Sequence, residues 1–392
     1  MRERYVFPEV GEKTATKMSA ALAAGQYDAL TNPAALARRL STDAAAIAHD
    51  KHIKVWSTTE QPRRSGSAAR PRAEAGVTRA DKLAGGIGYI EVISFPPAQV
   101  SKWTVDRAMS SLAGSRALII DVRRNGGGDP QAVSYLVSFL IPPDQPINDI
   151  VSRVEKTNTF TRKSYRSVPT PVTFAGVPIF VLTSKNTFSG GEEFAYDVQA
   201  LKRGTLIGEV TGGGANPVSS NDLGHGVVAM IPFGRAENPV TKTNWEGLGV
   251  QPNKSVLASD ALRVALEMAG QKPAADIATA SLKQVFGLRS TPLPGSEAAV
   301  RKLIAGYADG EPDYTIMVPD FATTTRAQLS KLRSQLAPLG QLRSVVFYRP
   351  DELGGDEYKL TFANGARKMA LVVGQDGKII VASSLIPLEA GE

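Results

Sequence analysis

The chain has 392 residues, 42% hydrophobic and 21% charged, a balance that fits a globular protein of two or three domains with a sizeable core and excludes a fibrous or wholly disordered one. The net charge of +7 comes from scattered basic residues, apart from Arg63, Arg64, Arg70, Arg72 and Arg79. With no nucleic-acid motif beside them, the charge reads as solubility and mild attraction to acidic surfaces. The absence of cysteine rules out a thiol nucleophile, a disulfide framework and thiolate metal sites. No apolar run is long enough for a membrane span, and MRERYVFPEV is too polar for a signal peptide.

In chain order, residues 1–48 predict short helices over Lys13–Ala24, Pro33–Leu40 and Thr42–His49, the second opened by the cap signal of Thr31 and Asn32. Tyr5, Phe7 and Tyr27 are expected to pin this layer to the body. In HDKHIKVW a helix gives way to a strand near Lys51 and brings two of the three histidines, His49 and His52. Residues 60–80, rich in Pro, Gly, Ser and Arg, predict a loop.

From Gly86 strands and helices alternate. GYIEVISF is strand-like, and Val105, Ala108, Met109 and Leu112 form an amphipathic helical stripe. ALIIDV is a continuous apolar strand of the kind buried on both faces. It ends in RRNGGGDP, and a second stripe follows at Val133, Leu136, Val137 and Leu140. Gly126, Gly127 and Gly128 allow close backbone approach to a ligand. They lack the lysine and serine of a P-loop and the GxGxxG spacing of a dinucleotide site, so a donor loop for an oxyanion or a peptide backbone fits better. The proline-rich stretch 141–176 predicts an excursion from the layer, a β-arm.

Next comes FVLTSKNTFSGGEEFAYDVQAL: an apolar strand, a polar turn, Ser189 ahead of Gly190 and Gly191, and a helix with Phe194, Val198 and Leu201 on one face. A hydroxyl at a strand-to-helix corner lies beside unpaired backbone N–H groups, the arrangement that acyl transfer by a serine requires. The same residue also fits a helix cap, with Glu192 three positions on completing a capping box. TLIGEVTGGGANP then gives a strand and a second glycine turn at Gly212–Gly214. GHGVVAMIPFGRA gives another strand, NWEGLGVQPN a loop holding Trp245 and Glu246, and Ala261, Leu262, Ala265, Leu266 and Ala269 a closing helix. Strand, glycine turn and helix in alternation mark an α/β layer fold.

Serine needs a base that titrates near working pH, which imidazole supplies, and a carboxylate to orient the ring. Composition alone leaves His49, His52 and His225 as bases and Glu192, Glu193, Glu209 and Glu246 as carboxylates. Asp121 and Arg123 read as a buried structural pair.

Read together, DKH, IGYIEV, DVRRNGGG, TFSGGEEFAYDVQ, GEVTGGGANP and NWEGLGVQPN resemble the tail-specific or C-terminal processing serine peptidases. The similar branch is that of the tricorn protease core and the interphotoreceptor retinoid-binding protein repeats, over residues 1 to about 270. The resemblance implies a crotonase-like ββα-spiral core, with Ser189 as nucleophile, His52 of the D-x-H motif as base and Glu246 as acidic partner. It further implies an oxyanion hole of the Gly190 N–H and one from the glycine run, Gly127 being favoured, with substrate contacts at Gly126, Gly128 and Gly213. The serine–lysine dyad of some relatives is absent, since the position twenty-five after the serine is Gly214. The thirty positions between Trp56 and Gly86 are too few for a PDZ insert. No metal or organic cofactor is implied. The partner is a peptide or protein substrate, with no nucleic acid, and the resemblance implies a bacterial envelope or secreted location rather than the cytoplasm. A non-catalytic binder of peptide or apolar ligand, or an esterase or amidase, on the same fold is the alternative.

After Gln271 a linker leads to a separate unit from Ser296. Helices at Val300–Tyr307 and Leu329–Leu336 precede strands in RSVVFYR, YKLTFA, RKMALVV and KIIVA, with hairpin signals at Asn364-Gly365 and Gln375–Gly377. This small α+β unit is similar to nuclear transport factor two-like domains and would suit binding or homo-oligomerisation. The expected organisation is thus a helical layer (1–58), a basic loop (59–85), the peptidase core (86–270), a linker (271–295) and the accessory unit (296–392).

Overall fold

A computed structural model of the protein describes residues 1–58, 75–271, 291–350, 355–373, 377–383 and 385–388. Most of the basic loop, most of the linker, and Gln375 and Asp376 of the second hairpin signal lie outside the described residues.

A six-stranded sheet forms the centre. Its strands are β2 (Val77–Leu83), β3 (Ile87–Val92), β4 (Ala117–Asp121), β7 (Ile179–Thr183), β8 (Thr205–Gly208) and β12 (Lys254–Ser255), in the order β12-β8-β7-β4-β3-β2. All neighbours are parallel except the β2–β3 pair. Alternate residues of each central strand serve opposite faces. Leu118, Ile120, Ile179 and Val181 join the core formed with α3 (Ala98–Ser111), α4 (Pro130–Ser138) and α5 (Gly190–Ala200). Ala117, Ile119, Phe180 and Leu182 pack with α6 (Ala261–Met268). Burial on both faces explains why these strands are apolar without interruption.

Two smaller sheets flank this layer. β1 (Lys54–Ser57), β10 (Val227–Pro232) and β9 (Val218–Asp222) form one; β11 (Gly234–Glu237), β5 (Pro146–Arg153) and β6 (Phe160–Arg166) form the other. The proline-rich excursion is therefore the β5–β6 hairpin, joined to β11. The single strand expected over GHGVVAMIPFGRA is two strands, which part at Phe233 to join different sheets.

The N-terminal layer contains α1 (Pro8–Ala23) and α2 (Pro33–Ala48). α2 replaces the two helices expected there: Ser41 and Thr42 continue the helix, the Thr42 hydroxyl donating to the Arg38 carbonyl one turn back. Asn32 caps it by accepting from the N–H groups of Ala34 and Ala35, and His49 ends it in the left-handed conformation. Tyr5, Val6, Ala44, Ile53, Ala229 and Ile231 bind this layer to β1 and β10. Residues 77–83, expected within the loop, form β2 because pairing with β3 buries Val77 and Thr78.

The C-terminal unit packs α7 (Ser296–Asp309) and α8 (Pro319–Leu336) on a five-stranded sheet. This has the order β13 (Leu342–Pro350), β14 (Asp356–Phe362), β15 (Gly365–Val373), β16 (Ile379–Ala382), and β17 (Ile386–Pro387) also pairs with β15. The Asn364-Gly365 hairpin joins β14 to β15 as the sequence predicts. The whole is a mixed α/β protein with several sheets.

Candidate active site

Parallel strands deliver their following loops to one edge of a sheet, and adjacent strands deliver them side by side. β4, β7 and β8 are consecutive neighbours, so residues 122–129, 184–189 and 209–217 emerge together. Phe188 N–H donates to the Asn125 carbonyl at 2.9 Å, and Gly212 N–H donates to the Thr187 carbonyl at 3.0 Å. The two glycine turns thus bracket the serine turn.

Ser189 is the N-cap of α5 at φ 53 and ψ −122, a backbone conformation sparsely populated by non-glycine residues. Glu192 reaches back to the Ser189 N–H at 2.9 Å, so the cap and the cavity-lining corner coexist in one residue. Gly127, at φ 105, lies against it. A Cβ on Gly127 would stand 2.6 Å from Ser189 Cβ and 2.9 Å from the Gly190 nitrogen, so no other residue fits there without displacement. The Gly127 N–H donates to Asn125 Oδ1 at 2.8 Å. Neither the Gly128 nor the Gly190 N–H finds an acceptor among the described residues.

His52 comes from the other direction, at the turn between α2 and β1. It is buried, its ring tilted over Phe188 at a centroid distance of 4.7 Å. Gly214 forms the facing wall, where a Cβ would come within 2.6 Å of His52 Cε1. Burial is the main cause pushing the imidazole pKa down, opposed by the Asp50 carboxylate and assisted by Lys54. That direction favours the neutral form of the ring.

Glu246 enters on the Asn244–Gly249 turn, beside Trp245, whose indole N–H donates to the Gly214 carbonyl at 2.8 Å. Its Oε2 accepts from the Ala215 N–H at 2.5 Å. Burial pushes its carboxyl up to about 7; the Ala215 hydrogen bond opposes this, while Asp50 and Glu192 add to it. One donor atom each from Asp50, His52 and Glu246 lie within 4.8 Å of one another.

Ser189 and His52 line one cavity of about 610 Å³, together with Gly126, Gly128, Phe188 and Gly214. Ile150, Tyr165, Met230 and Phe233 make its apolar walls, and Lys54, Lys163 and Glu193 also face it. No hydrogen bond joins the three side chains: both imidazole nitrogens and Glu246 Oε1 are buried without a partner. Catalytic hydrogen bonds are commonly long before substrate binds. Of the competing candidates, His49, His225 and Glu209 do not line this cavity. His49 and His225 are exposed, the latter in the β9–β10 turn, and Glu209 accepts from the Lys185 N–H. Asp121 and Arg123 are paired at 2.6 Å, as expected.

Sequence reasoning missed two contributors and half the role of a third. Asp50 is buried and accepts from the Tyr5 hydroxyl, Asn216 Nδ2 and the His52 N–H, each at 2.9 Å. The aspartate of D-x-H was the available signal. Asn125, wholly buried, holds the glycine run by donating to the Val92 carbonyl at 2.9 Å. Glu192 is a clamp as well as a cap, since its carboxylate accepts from the Thr211 hydroxyl and from the N–H groups of Gly213, Gly214 and Ser189. The Gly213 N–H is thereby occupied.

Glu193, next to Glu192, and Asp197, one helical turn further on, are buried together. Burial raises Glu193 to about 7, opposed by the Asn148 amide and assisted by Asp129. Burial, then repulsion from Glu193, holds Asp197 well above the carboxylate range against the Asn238 amide. A carboxyl with a raised folded pKa contributes full stability below its unfolded value of about 4 and loses it as pH rises through the folded value. Asp197→Asn is therefore expected to unfold later than the parent at pH 8, by ~1–3 kcal/mol, with the gain shrinking by pH 5. Thermal melts at the two pH values measure this.

Two family models match the chain. Peptidase family S41 matches residues 86–256, and the N-terminal domain of Peptidase S41 in eukaryotic IRBP matches residues 1–82. Among solved structures, the photosystem II D1 C-terminal processing protease is 20% identical over 53% of this chain, with a TM-score of 0.37. The match covers 48% of that protein, so this chain spans about half its length. A lipoprotein from Streptococcus agalactiae is 15% identical over 69% of this chain and 92% of that one, with a TM-score of 0.47. The tricorn protease is 24% identical over 50% of this chain and 18% of that one, with a TM-score of 0.33.

Proposed function

The chain belongs to peptidase family S41, a family of serine-type peptidases, and we propose that it hydrolyses peptide bonds through Ser189, His52 and Glu246. The observation that carries this reading is the single cavity lined by both Ser189, in its sparsely populated backbone conformation, and the buried imidazole of His52.

In the proposed mechanism Ser189 Oγ attacks the carbonyl carbon while its proton passes to His52. The oxyanion accepts hydrogen bonds from the Gly190 N–H and from one member of the glycine run. Gly127 was the favoured member, but its N–H is held by Asn125, so Gly128 takes the role. Protonated His52 then gives the proton to the leaving amine, forming an acyl-enzyme. Water repeats the sequence with His52 as base and frees Ser189. Glu246, within 4.8 Å of the ring, stabilises the imidazolium, whose charge in turn draws the glutamate toward its ionised form. Gly126 and Gly128 line the substrate cleft, and the role expected for Gly213 becomes structural.

We also read residues 86–270 as a crotonase-like spiral core and residues 296–392 as a nuclear transport factor two-like unit suited to self-association. A peptide library with matched small esters tests the activity. Internal cleavage of peptides by the parent and none by Ser189→Ala is expected. Ester cleavage alone indicates an esterase, and no cleavage of either a binding module.

A further inference from the structure

We propose that Asp50, His52 and Glu246 form a site for a divalent first-row transition ion such as Zn²⁺, and that its occupancy blocks hydrolysis. The consequence for hydrolysis rests on the peptidase reading; the ion site rests on geometry alone.

The donor atoms of the three residues already lie within 4.8 Å of one another, and Asp50 Oδ1 stands 3.9 Å from His52 Nδ1. Ligands at about 2.0–2.2 Å from a tetrahedral zinc are roughly 3.2–3.6 Å apart, so closure by about 1 Å suffices. His52 is only 8% exposed, and neither of its nitrogens has a partner. Glu246 Oε1 is also buried and unpartnered. Leaving such groups unsatisfied costs free energy that ligation would recover. The carboxylates are held from behind in the manner of metal ligands. Tyr5 and Asn216 donate to Asp50 Oδ2, and the Ala215 N–H donates to Glu246 Oε2.

The triad gives Asp50 no direct task, whereas an ion does. Two carboxylates and one neutral imidazole balance a double positive charge. The imidazole favours zinc-like ions over Mg²⁺ or Ca²⁺, which prefer oxygen ligands. When one nitrogen of the neutral imidazole binds the ion, the other carries the ring's proton, so neither can accept the Ser189 proton, and ion and catalysis exclude each other.

Calorimetric titration of Zn²⁺ into Ser189→Ala, which keeps all three ligands, tests the site. One saturable site is expected, weakened at least ~10-fold in the double variants carrying His52→Ala or Glu246→Gln, whose folding is checked by circular dichroism. Zn²⁺ should stop peptide cleavage by the parent over the same concentration range, EDTA should restore it, and Mg²⁺ should do neither. No saturable binding up to about 1 mM, or equal binding by the double variants, overturns the site. Binding that leaves cleavage unchanged overturns the block. Should the parent cleave no peptide at all, the peptidase reading fails, and the calorimetry still decides the ion site.

Discussion

Ser189→Ala is expected to lower kcat by about 10⁴–10⁶-fold with little change in KM. In the proposed mechanism the hydroxyl forms the bond to the acyl group, whereas substrate binding draws on the cavity walls and the glycine backbone. What survives is whatever Gly190 and Gly128 contribute by polarising the carbonyl for attack by water. Alanine meets the same backbone strain as serine at φ 53, so the fold loses only a cap, about 1 kcal/mol. Steady-state kinetics with a melting curve separate the two effects. A variant retaining more than a tenth of the parent rate contradicts the assignment.

Glu192→Gln should have the second largest effect. The carboxylate accepts from four donors: Oε1 from the Thr211 hydroxyl and the Gly213 N–H, and Oε2 from the N–H groups of Gly214 and Ser189. Glutamine keeps one accepting oxygen and turns an NH₂ toward the other two donors. Two buried N–H or O–H groups then lose their acceptor, at ~1–3 kcal/mol each. The functional loss follows from what the clamp joins. Ser189 carries the proposed nucleophile, Gly214 faces His52, and Ala215 donates to Glu246. Loosening the clamp moves all three relative to one another, and small misplacements of reacting groups cost ~100-fold in rate. We expect kcat to fall by about 10–100-fold with KM nearly unchanged and Glu192→Asp recovering part of it. A loss of stability with kcat intact would reduce Glu192 to a cap.

Much of this site was legible because its chemistry sits where backbone signals are strong. The strand-to-helix corner at Ser189 and the glycine run after ALIIDV follow from apolar strands that end in Gly-rich turns. Both turns lie at the same sheet edge because β4 and β7 are parallel neighbours. Local pattern says nothing about three-dimensional closeness, so His52 and Glu246 required the family resemblance. Hydrogen-bond assignment was less accessible still. Gly127 and Gly128 are indistinguishable in sequence, and only the Asn125 side chain decides which N–H stays free. Glu192 looked like a capping residue because its partners Thr211, Gly213 and Gly214 belong to a turn some twenty residues away. β2 was hidden for a related reason: its stability comes from pairing with β3 rather than from its own composition.

The central claim is that Ser189 is an activated nucleophile served by His52. Intact-mass spectrometry after exposure to a fluorophosphonate probe tests it most directly. The parent should gain one adduct mapped to Ser189, Ser189→Ala should gain none, and His52→Ala should react far more slowly. A folded parent that stays unmodified, or an adduct equally present in Ser189→Ala, would contradict it.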